Sequence, residues 1–160
     1  MQRDRFLTGI LVGIGVLVLL ALILFFVRDR GVDYVDESTP AGVVQNYVLA
    51  LHRRDYERAH AYLSPQVALV PLDRFVEHFS SYGGDQIAQS AIEIGETIDL
   101  PDGKATVRIT IIRGSGGIFD GVYRQIESVS LQQENGAWKI TAAPYPYWDY
   151  GWDFPSPPNK

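Results

Sequence analysis

An α+β fold is predicted for this chain from a change in the period of its apolar residues. Between Thr39 and Tyr82 they recur every three to four positions, the spacing of one helix face. From Ile87 onward they recur every second position, the spacing of one strand face. Ahead of both lies Phe6–Val27, FLTGILVGIGVLVLLALILFFV, an uncharged run in which Thr8 is the one side chain with a hydrogen-bonding group. The expected architecture is an N-terminal transmembrane helix followed by three helices packed on one face of an antiparallel four-stranded sheet.

The run at residues 6–27 is about 33 Å long as a helix, enough for a bilayer core. Arg3 and Arg5 precede it, within a tail of residues 1–5, and Arg28 and Arg30 follow it. Cleaved signal peptides have shorter apolar regions and a small-x-small site. This run ends Phe25-Phe26-Val27-Arg28, and no cysteine offers a lipidation site. An uncleaved anchor and a cell-membrane location are expected. Gly9-x-x-x-Gly13 would let two such helices approach closely, which allows a homodimer, although glycine is common in membrane helices generally. The arginines are tied across the span, so charge does not fix orientation. A short tail before a long apolar helix favours a cytoplasmic N-terminus and an extracytoplasmic C-terminal domain.

Of the formal net charge of −5, four arginines, Asp4 and Asp29 belong to the first 30 residues. The remainder, residues 31–160, holds 10 basic and 17 acidic residues, a net of −7. That balance argues against nucleic acid and anionic lipid as partners. With no cysteine there is no disulfide, zinc-thiolate site or cysteine nucleophile. No cofactor is implied.

After a linker at 28–38, Thr39 and Pro40 give an N-cap and a first helical residue. Val44, Tyr47, Val48 and Leu51 then form one stripe. Asp55 caps a short second helix, Tyr56 to Leu63, stopped by Ser64-Pro65. A third runs from Leu72 to Tyr82 with Leu72, Phe75, Val76 and Phe79 on one face, closed by Gly83-Gly84. Ile92, Ile94, Ile98 and Leu100 line the first strand; Ala105, Val107, Ile109 and Ile111 line the second. The third strand, Val122 to Gln133, slips phase between Ile126 and Val129, the mark of a bulge. Asn135-Gly136 is a hairpin turn before the last strand, which carries Trp138 and Ile140. The domain is expected at 39–143 and a tail at 144–160.

Ala41–Pro65, AGVVQNYVLALHRRDYERAHAYLSP, with Leu72-Asp73-Arg74-Phe75 and Gly136-Ala137-Trp138-Lys139-Ile140, resembles the nuclear transport factor 2-like superfamily. The resemblance implies a cone, a curved sheet wrapped around a long helix, over about Thr39 to Thr141. Its matching positions are structural: Asp55 caps, and Tyr56, Ala59 and Leu63 pack. The superfamily includes isomerase-like enzymes, pocket-binding domains and membrane-tethered assembly subunits, so the resemblance does not choose a function.

Two residues are candidates for a cavity. Glu96 shares the phase of Ile92, Ile94, Ile98 and Leu100, so strict alternation turns it inward, where a carboxylate could act as a base. A bulge at Gly95 would turn it outward instead. His60 lies on the stripe of Tyr56, Ala59 and Leu63, where a hydrogen-bonded core-edge histidine is the commoner outcome. His52 and His78 sit on other helices, and no metal-ligand spacing is present. Gly114-Ser115-Gly116-Gly117 lies between strands and opens no helix, so it reads as a hairpin loop, not a phosphate cradle.

The tail crowds Tyr145, Tyr147, Trp148, Tyr150, Trp152 and Phe154 into ten residues. Such aromatics suit a protein partner, the bilayer interface or the mouth of the domain itself. The functional expectation is a single-pass membrane-anchored binding or assembly module, a possible accessory subunit of a larger complex, without catalytic residues. The alternatives are a tethered binder of a small apolar ligand in the cone and, less favoured, an isomerase- or cyclase-like enzyme.

Overall fold

The computed structural model describes residues 5–28, 33–66, 69–114 and 121–153. The chain divides into two compact units, residues 1–33 and 34–160.

Among the described residues the first unit contains one helix, α1, Arg5–Arg28, of 24 residues. Its side chains are described from Ile10 to Leu22, about 20 Å of helix. Among the described residues no helix is long and apolar enough to cross a membrane.

In the second unit the helices are α2 (Pro40–His52), α3 (Tyr56–Ala61), α4 (Leu72–His78) and α5 (Gly84–Ala88). The strands are β1 (Ser90–Leu100), β2 (Lys104–Gly114), β3 (Val122–Glu134) and β4 (Ala137–Ala142), in sequential antiparallel order. The Oγ1 of Thr39 accepts the amide of Gly42 at 3.1 Å, and Asp55 accepts the amide of Arg58 at 3.3 Å, so both expected caps form. Asn135 and Gly136 take φ of 51° and 82°, the left-handed pair a tight hairpin requires. The core joins Val44, Tyr47, Val48 and Leu51 of α2 to Val107, Ile109 and Ile111 of β2, Val129 and Leu131 of β3, and Ile140 of β4.

Four expectations need correction. The third helix does not stop at Gly83-Gly84. A π-helical turn, Phe79–Gly83, carries the chain into α5, and both glycines have negative φ. A Cβ on Gly84 would lie 2.7 Å from the Phe79 carbonyl oxygen, so glycine serves close approach there, not termination.

The bulge expected between Ile126 and Val129 is absent, because β2 and β3 pair without interruption from Lys104↔Gln132 to Gly114↔Val122. Ile126 is simply outward and 70% exposed. The register breaks instead between Ile94 and Thr97 in β1, and between Ser130 and Leu131 against β4. The first break turns Ile98 and Leu100 out of the core, leaving them 41% and 45% exposed.

The segment at 34–38 is not a free linker. The Asn46 carboxamide, fully buried, accepts from the Val35 amide and donates to the Val35 carbonyl, both at 2.8 Å. Glu37 accepts from the Tyr62 hydroxyl at 2.7 Å and from Arg58 at 2.8 Å. The Arg58 guanidinium lies 3.4 Å from the centre of the Tyr34 ring.

Finally, residues 143–153 are not a tail. Ala143, Tyr147, Trp148 and Trp152 are members of the same core.

Candidate functional site

Glu96 does not face the interior. Gly95 sits at the β1 bulge, where a Cβ would come within 3.1 Å of the Arg108 carbonyl oxygen. The extra residue rotates Glu96 outward, its side chain 63% exposed and 3.3 Å from Arg108 Nη1. As a surface ion pair it is neither a desolvated base nor part of a cavity.

His60 is half-buried. Its Nε2 lies 2.8 Å from the Val70 carbonyl oxygen and must therefore donate to it, while its ring meets Phe75 edge-on at 5.3 Å. It lines a groove of about 420 Å³ with Ser64, Glu134, Asn135 and Lys139. Ser64 is fully buried and donates to Glu134 at 2.5 Å, and Lys139 donates to the Ala61 carbonyl at 2.6 Å. These contacts fasten the β4 edge to the segment after α3, where Leu63 bridges Ile140 in parallel. The side chains of His60, Ser64, Glu134 and Lys139 already serve the fold, and the Ser64 hydroxyl is not presented as a nucleophile.

The aromatic segment splits in two. Tyr147 and Trp148 are 1% exposed and Trp152 is 8% exposed, whereas Tyr145 and Tyr150 are on the surface and Phe154 lies outside the described residues. The Tyr47 hydroxyl donates to the Tyr147 carbonyl at 2.5 Å. Ser90 Oγ lies 3.0 Å from the Ile87 carbonyl and 2.9 Å from the Tyr147 hydroxyl. Since the carbonyl can only accept, Ser90 donates to it and Tyr147 donates to Ser90. Burial pushes both tyrosines above their usual pKa, Tyr47 strongly, so both stay neutral and donate. Among the described residues Trp148 Nε1 is buried without a hydrogen-bond partner. A further clasp joins His78 Nδ1 to Asp149 at 3.2 Å. The sequence gives no spacing that announces it, since the two residues stand 71 positions apart. For Tyr147, Trp148 and Trp152 a partner-binding role is therefore corrected to a core role.

Among the described residues of the second unit, the outer face of the sheet is exposed. The register Glu93↔Thr110↔Ile126, Ile98↔Thr106, Leu100↔Lys104 and Gly114↔Val122 puts these residues opposite the buried Val107, Ile109 and Ile111. Ile98, Leu100, Val122 and Ile126 are all exposed on this face. Two ion pairs lie among them, Glu96–Arg108 at 3.3 Å and Glu93–Arg124 at 3.6 Å. Sequence reading missed this surface because it assigned Ile98 and Leu100 to the core and explained Ile126 by a bulge. In α1, a Cβ on Gly13 would meet nothing within 4 Å, while the surroundings of Gly9 lie outside the described side chains. Among the described residues no cluster of His, Asp and Glu could hold a metal ion.

No protein-family model matches the chain, and no curated protein matches it. Solved structures similar to it include a SEC-C motif containing protein from Rhodopseudomonas palustris, at 13% identity and TM-score 0.49, covering 74% of this chain and 84% of the other. An NTF-2-like protein of unknown function from Shewanella oneidensis MR-1 has 13% identity and TM-score 0.46, covering 62% and 88%. A putative calcium/calmodulin dependent protein kinase II association domain from Xanthomonas campestris has 14% identity and TM-score 0.45, covering 69% and 92%. All three TM-scores lie below 0.5.

Proposed function

We propose that the chain is a single-pass membrane-anchored assembly module. Residues 6–27 cross the bilayer, a nuclear transport factor 2-like domain stands outside the cytoplasm, and the outer face of its sheet docks a protein partner. The observation that carries this reading is that face: an uncovered sheet surface with exposed Ile98, Leu100, Val122 and Ile126 interleaved with arginine–glutamate pairs. Apolar area of this kind, rimmed by charge, is typical of interaction sites.

The span rests on the sequence of residues 6–27, uncharged throughout. From Ile10 to Leu22 every residue of α1 is exposed, Leu11 at 65% and Leu17 at 68%, and a helix apolar on all sides calls for a non-aqueous surrounding. Two features weigh against the ligand-binding and enzymatic alternatives. Tyr147 and Trp148 occupy the interior, and Glu96 is ion-paired at the surface.

The chain has no cysteine, so a single introduced thiol reports on one place. In native membranes Ile126→Cys should react with a water-soluble maleimide several-fold more slowly than Ser80→Cys, which lies on the exposed helical side. Equal rates would mean the face is open to water and would overturn the assembly reading.

A further inference from the structure

We infer that the edge of β4 at Trp138 docks a short extended peptide of a partner protein, one that carries an acidic side chain between two apolar ones. This site is the rim of the sheet and not its outer face, so it stands apart from the assembly reading above.

The backbone register leaves this edge open. Ile140 turns both main-chain groups away from β3: its amide donates to the Tyr62 carbonyl at 2.9 Å, and its carbonyl accepts the Ser64 amide at 2.8 Å. Main-chain groups two residues apart on a strand point the same way, so Trp138 also presents its amide and carbonyl outward. Gln133, its partner in the register, agrees with this, because the Gln133 amide is turned to the far side and donates to the Gly103 carbonyl at 2.7 Å. The parallel bridge that serves Ile140 goes no further, since the residues before Tyr62 belong to α3. Among the described residues nothing bonds to the outward amide and carbonyl of Trp138. An edge open in this way is a template for an added strand.

Two clefts flank it. One, of about 260 Å³, is lined by Glu37, Val43, Arg58, Tyr62, Trp138 and Lys139. The other is the groove of about 420 Å³ at His60, which has Leu63, Pro65 and Lys139 in its wall but not Trp138. A residue of an antiparallel peptide directly opposite Trp138 exchanges two hydrogen bonds with it and points its side chain to the Trp138 side, into the smaller cleft. Its two neighbours point to the other side, towards Leu63 and Pro65.

Charge selects the central side chain. Residues 31–160 carry a net of −7, yet the smaller cleft sets Arg58 and Lys139 against Glu37 alone. Arg58 is committed to Glu37 at 2.8 Å. Lys139 donates to the Ala61 carbonyl and is in no ion pair among the described residues. An ammonium has three donors, which leaves capacity for a carboxylate.

The probe is the blocked peptide acetyl-Thr-Val-Glu-Val-Thr-amide, added to the full-length protein in detergent, with hydrogen exchange read at the Trp138 amide. Saturable slowing there is expected. Binding should weaken about tenfold when the peptide carries Gln in place of Glu, and about as much in Lys139→Gln, checked by its melt to be folded. Methylating the amide nitrogen of the central Glu keeps the charge but removes a main-chain donor, and should abolish the slowing. No saturable slowing at millimolar peptide would overturn the inference. Equal binding of the methylated peptide would mean attraction by charge without strand pairing, and equal binding of the Gln peptide would remove the acidic requirement; either overturns it. A Trp138 amide already slow before peptide is added would mean that another part or another copy of the chain covers the edge, and would overturn a partner peptide as its occupant. The peptide variants keep the test intact if Lys139→Gln does not fold.

Discussion

Replacing Trp148 by alanine asks whether the C-terminal aromatic segment belongs to the fold. Trp148 heads the fully buried side chains by size, with 1% of its surface exposed. Its ring lies 5.4 Å from Trp152, which lies 5.3 Å from Phe75 and 5.8 Å from Phe79. The indole thus links the end of the chain to α4 and the π-turn. Truncating a tryptophan in such a site costs about 3–5 kcal/mol, the lost transfer energy plus a cavity that the walls only partly fill. For a domain of about 120 residues each kcal/mol moves the melting temperature by about 3–5 °C, so a fall of roughly 10–25 °C is expected. The assay is a near-ultraviolet circular dichroism melt of the full chain in detergent. Tyr150→Ala, 64% exposed, is the comparison and should cost no more than about 0.5 kcal/mol. Trp148→Phe should lose less than half as much as alanine, because it keeps an apolar ring and removes the unpartnered Nε1–H. A Trp148→Ala melt within about 2 °C of the parent would mean the segment is not part of the core.

Three further outcomes follow from the same contacts. Glu96→Gln should change stability by no more than about 0.5 kcal/mol and leave no ligand-dependent effect, since it breaks only an exposed pair; a larger loss in urea unfolding would contradict the outward placement. Asn46→Ala leaves the Val35 amide and carbonyl without their partners and should cost about 1–3 kcal/mol, with limited proteolysis then cutting near residues 34–38; resistance there would refute the strap. The Tyr62 hydrogen bond, assisted by Arg58, holds the Glu37 carboxyl below its ordinary value of 4.5 against the opposing effect of burial. Its contribution to stability is therefore complete above 4.5 and lost as pH falls through the lower folded value. The difference in melting temperature between the parent and Glu37→Gln should shrink on acidification; a constant gap would disprove the electrostatic account.

Local signals were the legible part of this fold. Thr39 and Asp55 cap as their side chains dictate, Asn135-Gly136 turns, and the α2 stripe and β2 alternation both reach the core. These depend on neighbours within a few residues. The candidate site was less legible because it depends on register. One extra residue at Gly95-Glu96 reverses every later side chain of β1, sending Ile98 and Leu100 outward and Glu96 with them. Within β1 only Gly95 hints at that bulge, and the contact that decides it is the backbone of Arg108 on the next strand. The aromatic segment was conspicuous by composition, but its destination depended on the room left between α2, α4 and the sheet. Trp152 could not be assigned to Phe75 and Phe79, more than seventy positions away, from spacing.

Alkaline carbonate extraction of native membranes tests most directly the proposal that residues 6–27 hold the folded domain at a bilayer. Full-length protein, detected through a C-terminal tag after Lys160, should remain in the membrane pellet at high pH with its N-terminal residues intact. Replacing Leu17 and Leu19 with arginine should release it, because each charge at a helix centre costs about 2.5–3.5 kcal/mol of insertion. Recovery of the unaltered protein in the carbonate supernatant, or a mature N-terminus beyond Val27, would contradict the account.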